Sequence, residues 1–374
     1  MWSLWQLAKQ FIVTQGNVTE TFDNTGGLFT KVNQIINASN PNAKCFRDTP
    51  GGDASLIEFL HHRPDISADI TTVDSTPVGS GSIAHVFRVY LHTGESRVFK
   101  IKHKDLTAKL SDQINMISLV SGFIRNMGFE IGEADQEYST MLLAELAFRA
   151  EAKNQMHLHY LWKNNPCIYI PKAYPEWSSN DILCSEYIAD VPLTSFIQHS
   201  QQNDINTVAF NIATFVFHNH LKHDCFYTDI HYGNFLITLG TNRVTVVDFG
   251  AVKYFEADMI NSLRDLYTSI FCNDRDLFAS TVTNLGMITT LESIEMLYLF
   301  YRVQMAPWIT EDVFVFTDDW LSQSTTTDIR TLLTWKLPKE LLCFMKITFG
   351  MNRMFTHMKV ANNFSSIMKS CLNI

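Results

Sequence analysis

The stretch 226–251, FYTDIHYGNFLITLGTNRVTVVDFGA, constrains this chain more than any other. Asp229 and Asn234 are five residues apart, and a strand-like run from Val244 to Val247 then delivers Asp248-Phe249-Gly250. A hairpin between the two would bring Asn234 and Asp248 together from either side. An amide oxygen and a carboxylate converging on one point suit Mg²⁺, which takes oxygen ligands at ~2.0–2.1 Å in octahedral geometry. Asp229 would then lie where an attacking hydroxyl or water sits. The plainer alternative is a hairpin with a solvated Asp and an Asx-turn Asn.

Residues upstream weigh against that alternative. Val78-Gly79-Ser80-Gly81-Ser82-Ile83-Ala84-His85-Val86 reads G-x-G-x-x-A-x-V. Glycines without Cβ let backbone approach a ligand closely, and unpaired N–H groups in such a turn form an anion-binding concavity. Strand signals flank it: Ala84 to Leu91, a polar turn His92-Thr-Gly-Glu-Ser, then Arg97 to Lys102. Lys100 and Lys102 alternate with Phe99 and Ile101, so a period of two puts both lysines on one face. Lys100, after Val98-Phe99, is the expected phosphate contact and Lys102 its competitor. A lysine among phosphates needs a carboxylate to hold it. The helix-forming run from Met141 to Lys153 carries Glu145 and Glu151 on different faces. Glu151 is the expected Lys100 partner, against the simpler reading of a solvated helix acid.

A glycine loop, a strand lysine, a helix glutamate, a loop Asp with Asn five later and a following Asp-Phe-Gly are the ordered parts of a kinase centre. The chain resembles the UbiB/ADCK atypical kinase-like proteins, which are associated with isoprenoid-quinone metabolism. Gly26 to Gln34 resembles the family's KxGQ signature, and Thr76 to Val86 its SIAQVH nucleotide loop. Glu145 to Asn154 resembles ExDFxxEAxN, Ile182 to Leu193 resembles VLVMExIxGxPL, and Tyr227 to Asn234 with Asp248 to Ala251 resembles HxDPHPGN…DFG. Leu337-Pro-Lys-Glu-Leu-Leu is a weaker echo of an LPxE helix. The departures are Asn33 for Gly, Ala147 for the Asp of ExD, Tyr227 for the His before the loop aspartate, and Gly-Ser-Gly-Ser where many members carry an Ala-rich loop. The resemblance implies that Lys31 and Gln34 fold over the cleft and obstruct protein substrates. It also implies an inserted helix between Lys100 and Glu151.

Length 374 suits two to three domains or one two-lobed domain with an extension. Hydrophobic content of 46% with 27 Phe permits a large core. A net charge of −9 argues against nucleic acid, whose phosphates want a basic surface. Seven Cys (45, 167, 184, 225, 272, 343, 371) without a C-x-x-C read as reduced core cysteines in a reducing, intracellular compartment, so the sequons at Asn17, Asn37 and Asn363 carry little weight. No run of ~18 apolar residues predicts a spanning helix. The start lacks a basic region and a small-residue cleavage site, so no secretory signal is expected, and lack of Arg gives a mitochondrial presequence little support. Its amphipathic face, Trp2, Trp5, Leu7 and Phe11, could rest peripherally on a membrane, but with Lys9 its one basic residue, packing on the protein's own core is favoured.

Taken in order, 1–70 is expected as a helical extension, 71–186 as an N-lobe and 187–374 as a helical C-lobe. Helices are expected over 107–127, 137–162, 204–223 and 256–272, and the chain after 275 reads as all helical. Glu186-Tyr187-Ile188 would be a hinge whose backbone meets the adenine edge, against a plain antiparallel strand. His218, His220 and His223 lack an HExxH or Cys pairing and read as a polar helix end rather than a zinc site. His231 is expected to be structural. There is no Ala-Pro-Glu and no long Ser/Thr-bearing segment after Asp-Phe-Gly, which points away from peptide substrates. The expectation is an α+β, two-lobed protein-kinase-like fold holding ATP and Mg²⁺. Gly79, Ser80, Gly81 and Ser82 would cover the phosphates with Lys100 on α and β. Glu151 would orient Lys100, Asn234 and Asp248 would hold the metal, and Asp229 would position or deprotonate a small-molecule or lipid acceptor. A choline- or aminoglycoside-type kinase and a non-catalytic, nucleotide-responsive lipid-binding scaffold are the competing readings.

Overall fold

The computed structural model describes residues 52–81, 83–103, 147–287, 291–324 and 339–374. The first 51 residues with Lys31 and Gln34, Ser82, the stretch 104–146 with Glu145, and Leu337-Pro338 lie outside the described residues.

Helices α1 (Gly52–His61) and α2 (Pro64–Ser67) lead into strands β1 (Ile70–Val73), β2 (Gly79–Ser80), β3 (Ala84–Leu91) and β4 (Ser96–Lys102). Helix α3 (Phe148–Trp162), β5 (Ile168–Tyr169) and β6 (Ile182–Glu186) follow. The upper sheet runs β1-β3-β4-β6, antiparallel, with β2 folded onto β3. Its register sorts the side chains. Val86 faces Lys100, which faces Leu183; Arg88 faces Val98, which faces Ser185. That face looks toward α3, where Phe148 and Ala152 pack on Ala84 and Leu183. The alternate residues Phe87, Val89, Phe99, Ile101 and Cys184 form a separate core under Leu56 and Ile66. The alternation of polar and apolar residues along 97–102 is thus a sheet with both faces covered.

The lower part begins with β7 (Val191–Pro192), α4 (Leu193–His199) and the long α5 (Gln202–Leu221). Ile205, Val208, Ala209, Ile212, Phe215 and Val216 on α5 are all buried, as their helical spacing predicts. Strands β8 (Cys225–Tyr227), β9 (Phe235–Thr238), β10 (Arg243–Val246) and β11 (Val252–Tyr254) form two small sheets, β5-β10-β9-β7 and β8-β11. Helices α6 (Ala257–Phe271), α7 (Arg275–Asn284) and α8 (Leu291–Ile309) complete the body, with Asp274 capping α7 by accepting from the Leu277 N–H at 2.9 Å. The remainder comprises β12 (Phe314–Val315), α9 (Asp318–Ser324), α10 (Lys339–His357), β13 (Ala361–Asn362) and α11 (Ser365–Leu372). The β12–β13 pair corrects the all-helical expectation after 275. It forms where Trp308, fully buried, gathers the rings of Phe217, Phe316, Phe355 and Phe364 within 5.8 Å and donates to the Asn352 amide oxygen at 3.1 Å.

Cys184, Cys225, Cys343 and Cys371 are core residues, but Cys167 and Cys272 are exposed, because they flank β5 and the end of α6. The histidines at the end of α5 are not a polar cap either. His220 is fully buried and stacks on Phe226 at 4.6 Å, while His218 and His223 lie against Trp162. Burial pushes the His220 pKa down to about 3, with the Tyr227 backbone opposing. A histidine whose folded pKa lies below its unfolded value contributes full stability above pH 6.5 and loses it as pH falls. His220 alone should therefore cost about 2 kcal/mol between pH 7 and pH 5. Melting temperatures over that range should fall for the parent and flatten for His220→Phe; equal slopes would exclude this origin.

Candidate active site

Strand β4 carries Lys100 to the seam between the two parts, and the register leaves its ammonium facing α3. Lys100 Nζ donates to Glu151 Oε1 at 2.8 Å and Oε2 at 3.1 Å, and to Asp248 Oδ2 at 2.9 Å. Glu151 is 2% exposed. Lys102 shares the face but is held by Asp181 at 2.8 Å and the Asn180 carbonyl at 2.9 Å. The structure therefore gathers Lys100, Glu151 and Asp248 and places Lys102 elsewhere.

Asp229 and Asn234 meet in the tight turn after β8. The Asn234 amide nitrogen donates to Asp229 Oδ2 at 2.7 Å and to the Asp229 carbonyl at 2.9 Å. The turn is shaped by His231, whose Nδ1 accepts from the Gly233 N–H at 3.0 Å, so His231 is structural in this geometry. The Val247 N–H donates to the Asn234 carbonyl at 3.1 Å, tying the turn to the strand that leads to Asp248. Gly250 N–H donates to Asp248 Oδ1 at 3.0 Å.

Burial works to discharge Lys100, but the carboxylates of Asp248 and Glu151 outweigh it and hold the ammonium charged. Burial likewise raises Glu151, to about 7, with Lys100 pulling against it. For Asp248 the balance reverses: burial is overcome by Lys100, and the carboxyl stays below its usual range.

Other expected residues are placed less simply. Gly79 and Ser80 pair with Val86 and His85 across the hairpin, and Val78 is exposed. The Gly81 N–H is spent on the Ala84 carbonyl at 2.9 Å, so it is not one of the unpaired donors anticipated for an anion cradle. Ile83 and Ala84 pack toward Phe148. His85 lies on the opposite sheet face from Val86 and Lys100, its Nδ1 on the Ser80 hydroxyl at 3.0 Å and its ring against His103 at 4.4 Å. It braces the loop from behind rather than lining the cleft. The Glu186 carboxylate accepts from the Tyr169 hydroxyl at 2.7 Å, and its N–H donates to the Lys172 carbonyl at 2.9 Å. The next amide, the Tyr187 N–H, donates to the Ser96 carbonyl at 3.3 Å and is not open to a ligand.

The residues present fit a magnesium nucleotide on three counts. Asn234 has committed its nitrogen and keeps its oxygen. Neither Gly79 nor Gly81 is needed for packing: a Cβ there would meet Val86 at 3.8 Å and the Ala84 carbonyl at 3.9 Å, both ordinary contacts. The fully buried Tyr227 hydroxyl lies among Asn234 and the carboxylates of Asp229, Asp248 and Glu151 without a full hydrogen bond to any of them.

Two further side chains share these faces, Val98 and Leu236. Val98 shares the cleft face with Lys100 by period two. Leu236, two residues past Asn234, lies opposite the buried face made by Phe235 and Ile237. The same alternation could have found both.

An antiparallel sheet over a helical lobe, with a lysine–glutamate pair, a loop aspartate and an Asp-Phe-Gly at their seam, defines a protein of the kinase-like class. Residues 64–282, more than half of the chain, match the ABC1 atypical kinase-like domain, and the chain belongs to that family. It is 24% identical over 314 residues to the mitochondrial atypical kinase COQ8 of Saccharomyces cerevisiae, covering 77% of this chain and 61% of that one. Over 167 residues it is 26% identical to the probable protein kinase UbiB of Cellvibrio japonicus, covering 43% and 30% respectively. The chain thus spans less than two thirds of the length of these relatives. The solved complex of Rv3197 with erythromycin, from Mycobacterium tuberculosis, has the same fold: TM-score 0.68 over 98% of this chain and 90% of that one, at 19% identity.

Proposed function

We propose that the protein binds Mg-ATP at the seam between the lobes and acts as an atypical phosphotransferase or ATPase on a small molecule or lipid. The observation that carries this is Lys100 held by Glu151 and Asp248, with Asn234 tied to Asp229 beside them. Val86 and Val98 above and Leu236 below would enclose the adenine, and the backbone beyond Glu186 would meet its edge. The loop 79–82 would cover the phosphates. Bound Mg-ATP supplies the phosphoryl group and a cation that neutralises charge on it. Glu151 keeps Lys100 pointed at the α and β phosphates. Asn234 and Asp248 offer oxygens to the cation, and Asp229 orients the attacking hydroxyl or takes its proton. Positioning and charge stabilisation supply most of what phosphoryl transfer requires.

Only six residues, 251–256, separate Gly250 from α6, and three of them are β11, zipped onto β8. That leaves no platform for a peptide and favours a small or lipid acceptor. The family resemblance supports an acceptor linked to isoprenoid-quinone metabolism. Among the described residues no helix is long and apolar enough to cross a membrane, so lipid contact would be peripheral to this part of the chain. Against the choline- or aminoglycoside-type reading stand the sequence segments resembling KxGQ, with Lys31 and Gln34, and SIAQVH; an acceptor screen separates the two.

Thermal unfolding with and without Mg-ATP tests the site. At a hundredfold excess over Kd, stabilisation should be about 2.7 kcal/mol and should vanish with EDTA. An unchanged melting curve at millimolar Mg-ATP would sink the proposal.

A further inference from the structure

Helix α3 touches the Asp-Phe-Gly segment through a stripe one turn apart. Glu151 Oε1 accepts the Phe249 N–H at 3.3 Å. Asn154, three residues on, donates its amide nitrogen to the Phe249 carbonyl at 3.1 Å. His157, three further, meets the Tyr254 ring at 5.9 Å. The Tyr254 hydroxyl returns to Asn154 Oδ1 at 3.4 Å, which fixes the amide with its nitrogen toward Phe249. Residues three apart are neighbours on a helix surface, so the two backbone groups of one residue, Phe249 N–H and C=O, are gripped by Glu151 and Asn154 from a single turn of helix.

The other side of the segment is fastened independently. The Ala251 carbonyl accepts from the Thr228 N–H at 3.0 Å and from its hydroxyl at 2.9 Å, and β11 then pairs with β8. Between these two anchors lies Asp248-Phe249-Gly250. The direction in which Asp248 points is set at its carboxylate by Lys100 and the Gly250 N–H, and at its backbone by how the Phe249 peptide groups are held. Glu151 has a second task at Lys100, whereas Asn154 touches neither Lys100 nor the proposed metal ligands.

We propose that Asn154 is a positioning residue: by holding the Phe249 carbonyl it aims Asp248 at its cation, so that the metal site stands ready without a switchable loop. This rests on the Mg-nucleotide reading above. Asn154→Asp keeps the shape and the acceptor for Tyr254 but turns an oxygen toward the Phe249 carbonyl, where repulsion replaces a hydrogen bond. Tyr254→Phe removes the hydroxyl that orients the amide, together with its contact to the Cys225 thiol, at a half-exposed position, and serves where the first variant does not fold.

The experiment is a Mg²⁺ titration of melting temperature at fixed, saturating ADP, read as the Mg²⁺ concentration giving half the shift, with metal-free ADP as a second arm. Asn154→Asp should raise that concentration about tenfold, the lower end of what losing an outer-shell partner costs a metal site. Tyr254→Phe should raise it less, in the same direction, and the metal-free ADP response should match the parent's in both. An unchanged half-saturation point in the folded variants, even with a lower melting temperature, overturns the proposal and leaves Asn154 a structural residue. A parent that gives no Mg-ADP shift overturns the nucleotide reading itself; a responsive parent with equally responsive variants overturns this inference alone.

Discussion

Lys100→Ala should abolish the stabilisation by Mg-ATP and, without any nucleotide, cost about 3 kcal/mol near pH 8. The apo cost follows from what the ammonium leaves behind. Glu151 is buried and Asp248 keeps 31% of its side chain exposed, so one carboxylate loses its compensation fully and the other in part. That places the loss at the low end for a buried pair deprived of one member. Its pH dependence is distinctive. Glu151 already sits at about 7 with Lys100 present, and without that cation it must rise further. An acid whose folded pKa lies above its unfolded one favours the folded state at low pH and loses that support as pH rises through the folded value. The gap between parent and variant should therefore narrow from pH 8 to pH 6. Denaturant melts at both values measure it; a gap that is constant or widens toward pH 6 would mean Glu151 does not depend on Lys100 for its charge. Mg-ATP shifting both proteins equally would mean the nucleotide site lies elsewhere.

Asp229→Asn should lower turnover about a thousandfold, within the range of a lost proton acceptor, while leaving Mg-ATP stabilisation close to the parent's. The substituted amide retains an oxygen that can accept from Asn234, so the turn that presents Asn234 survives. Phosphate release, or transfer to an acceptor once one is found, is the readout beside the same thermal shift. Retained binding with lost turnover assigns Asp229 to chemistry. Binding and turnover both indifferent to the change would favour the nucleotide-responsive scaffold.

Much of this arrangement is written in local spacing. The five-residue step from Asp229 to Asn234 and the strand before Asp248 specify a hairpin, and a hairpin brings its ends together whatever surrounds it. The helix 202–221 is equally legible, because its apolar residues recur at helical spacing and all but the partly buried Phe210 are buried. Other features depend on partners far along the chain. Period two places Lys100 and Lys102 on one face and cannot choose between them; the choice is made by Asp181, 79 residues later at the head of a strand, which intercepts Lys102. The β12–β13 ladder joins strands of two residues each, too short for alternation to be read and, in Ala361-Asn362, of residues that strands disfavour; they are held because the Trp308 cluster brings them side by side. His85 was misplaced for a different reason. Membership in a glycine-loop motif suggested the cleft, although its alternation with Ala84 and Val86 already assigned it to the far face. Asn154 was readable too, one helical turn from Glu151, but nothing in the sequence says that the Phe249 carbonyl lies opposite.

The short tether after Gly250 has a pharmacological corollary. One conceivable class of ligand would lever the phenylalanine of Asp-Phe-Gly out of its slot and occupy the vacancy. Phe249 is fully enclosed against Tyr227, its backbone is clasped by α3, and the chain behind it is knitted to β8 within three residues. A compound of that type would have to unravel a strand before it could bind, so ligands that mimic the nucleotide with the phenylalanine left in place are the better starting chemistry.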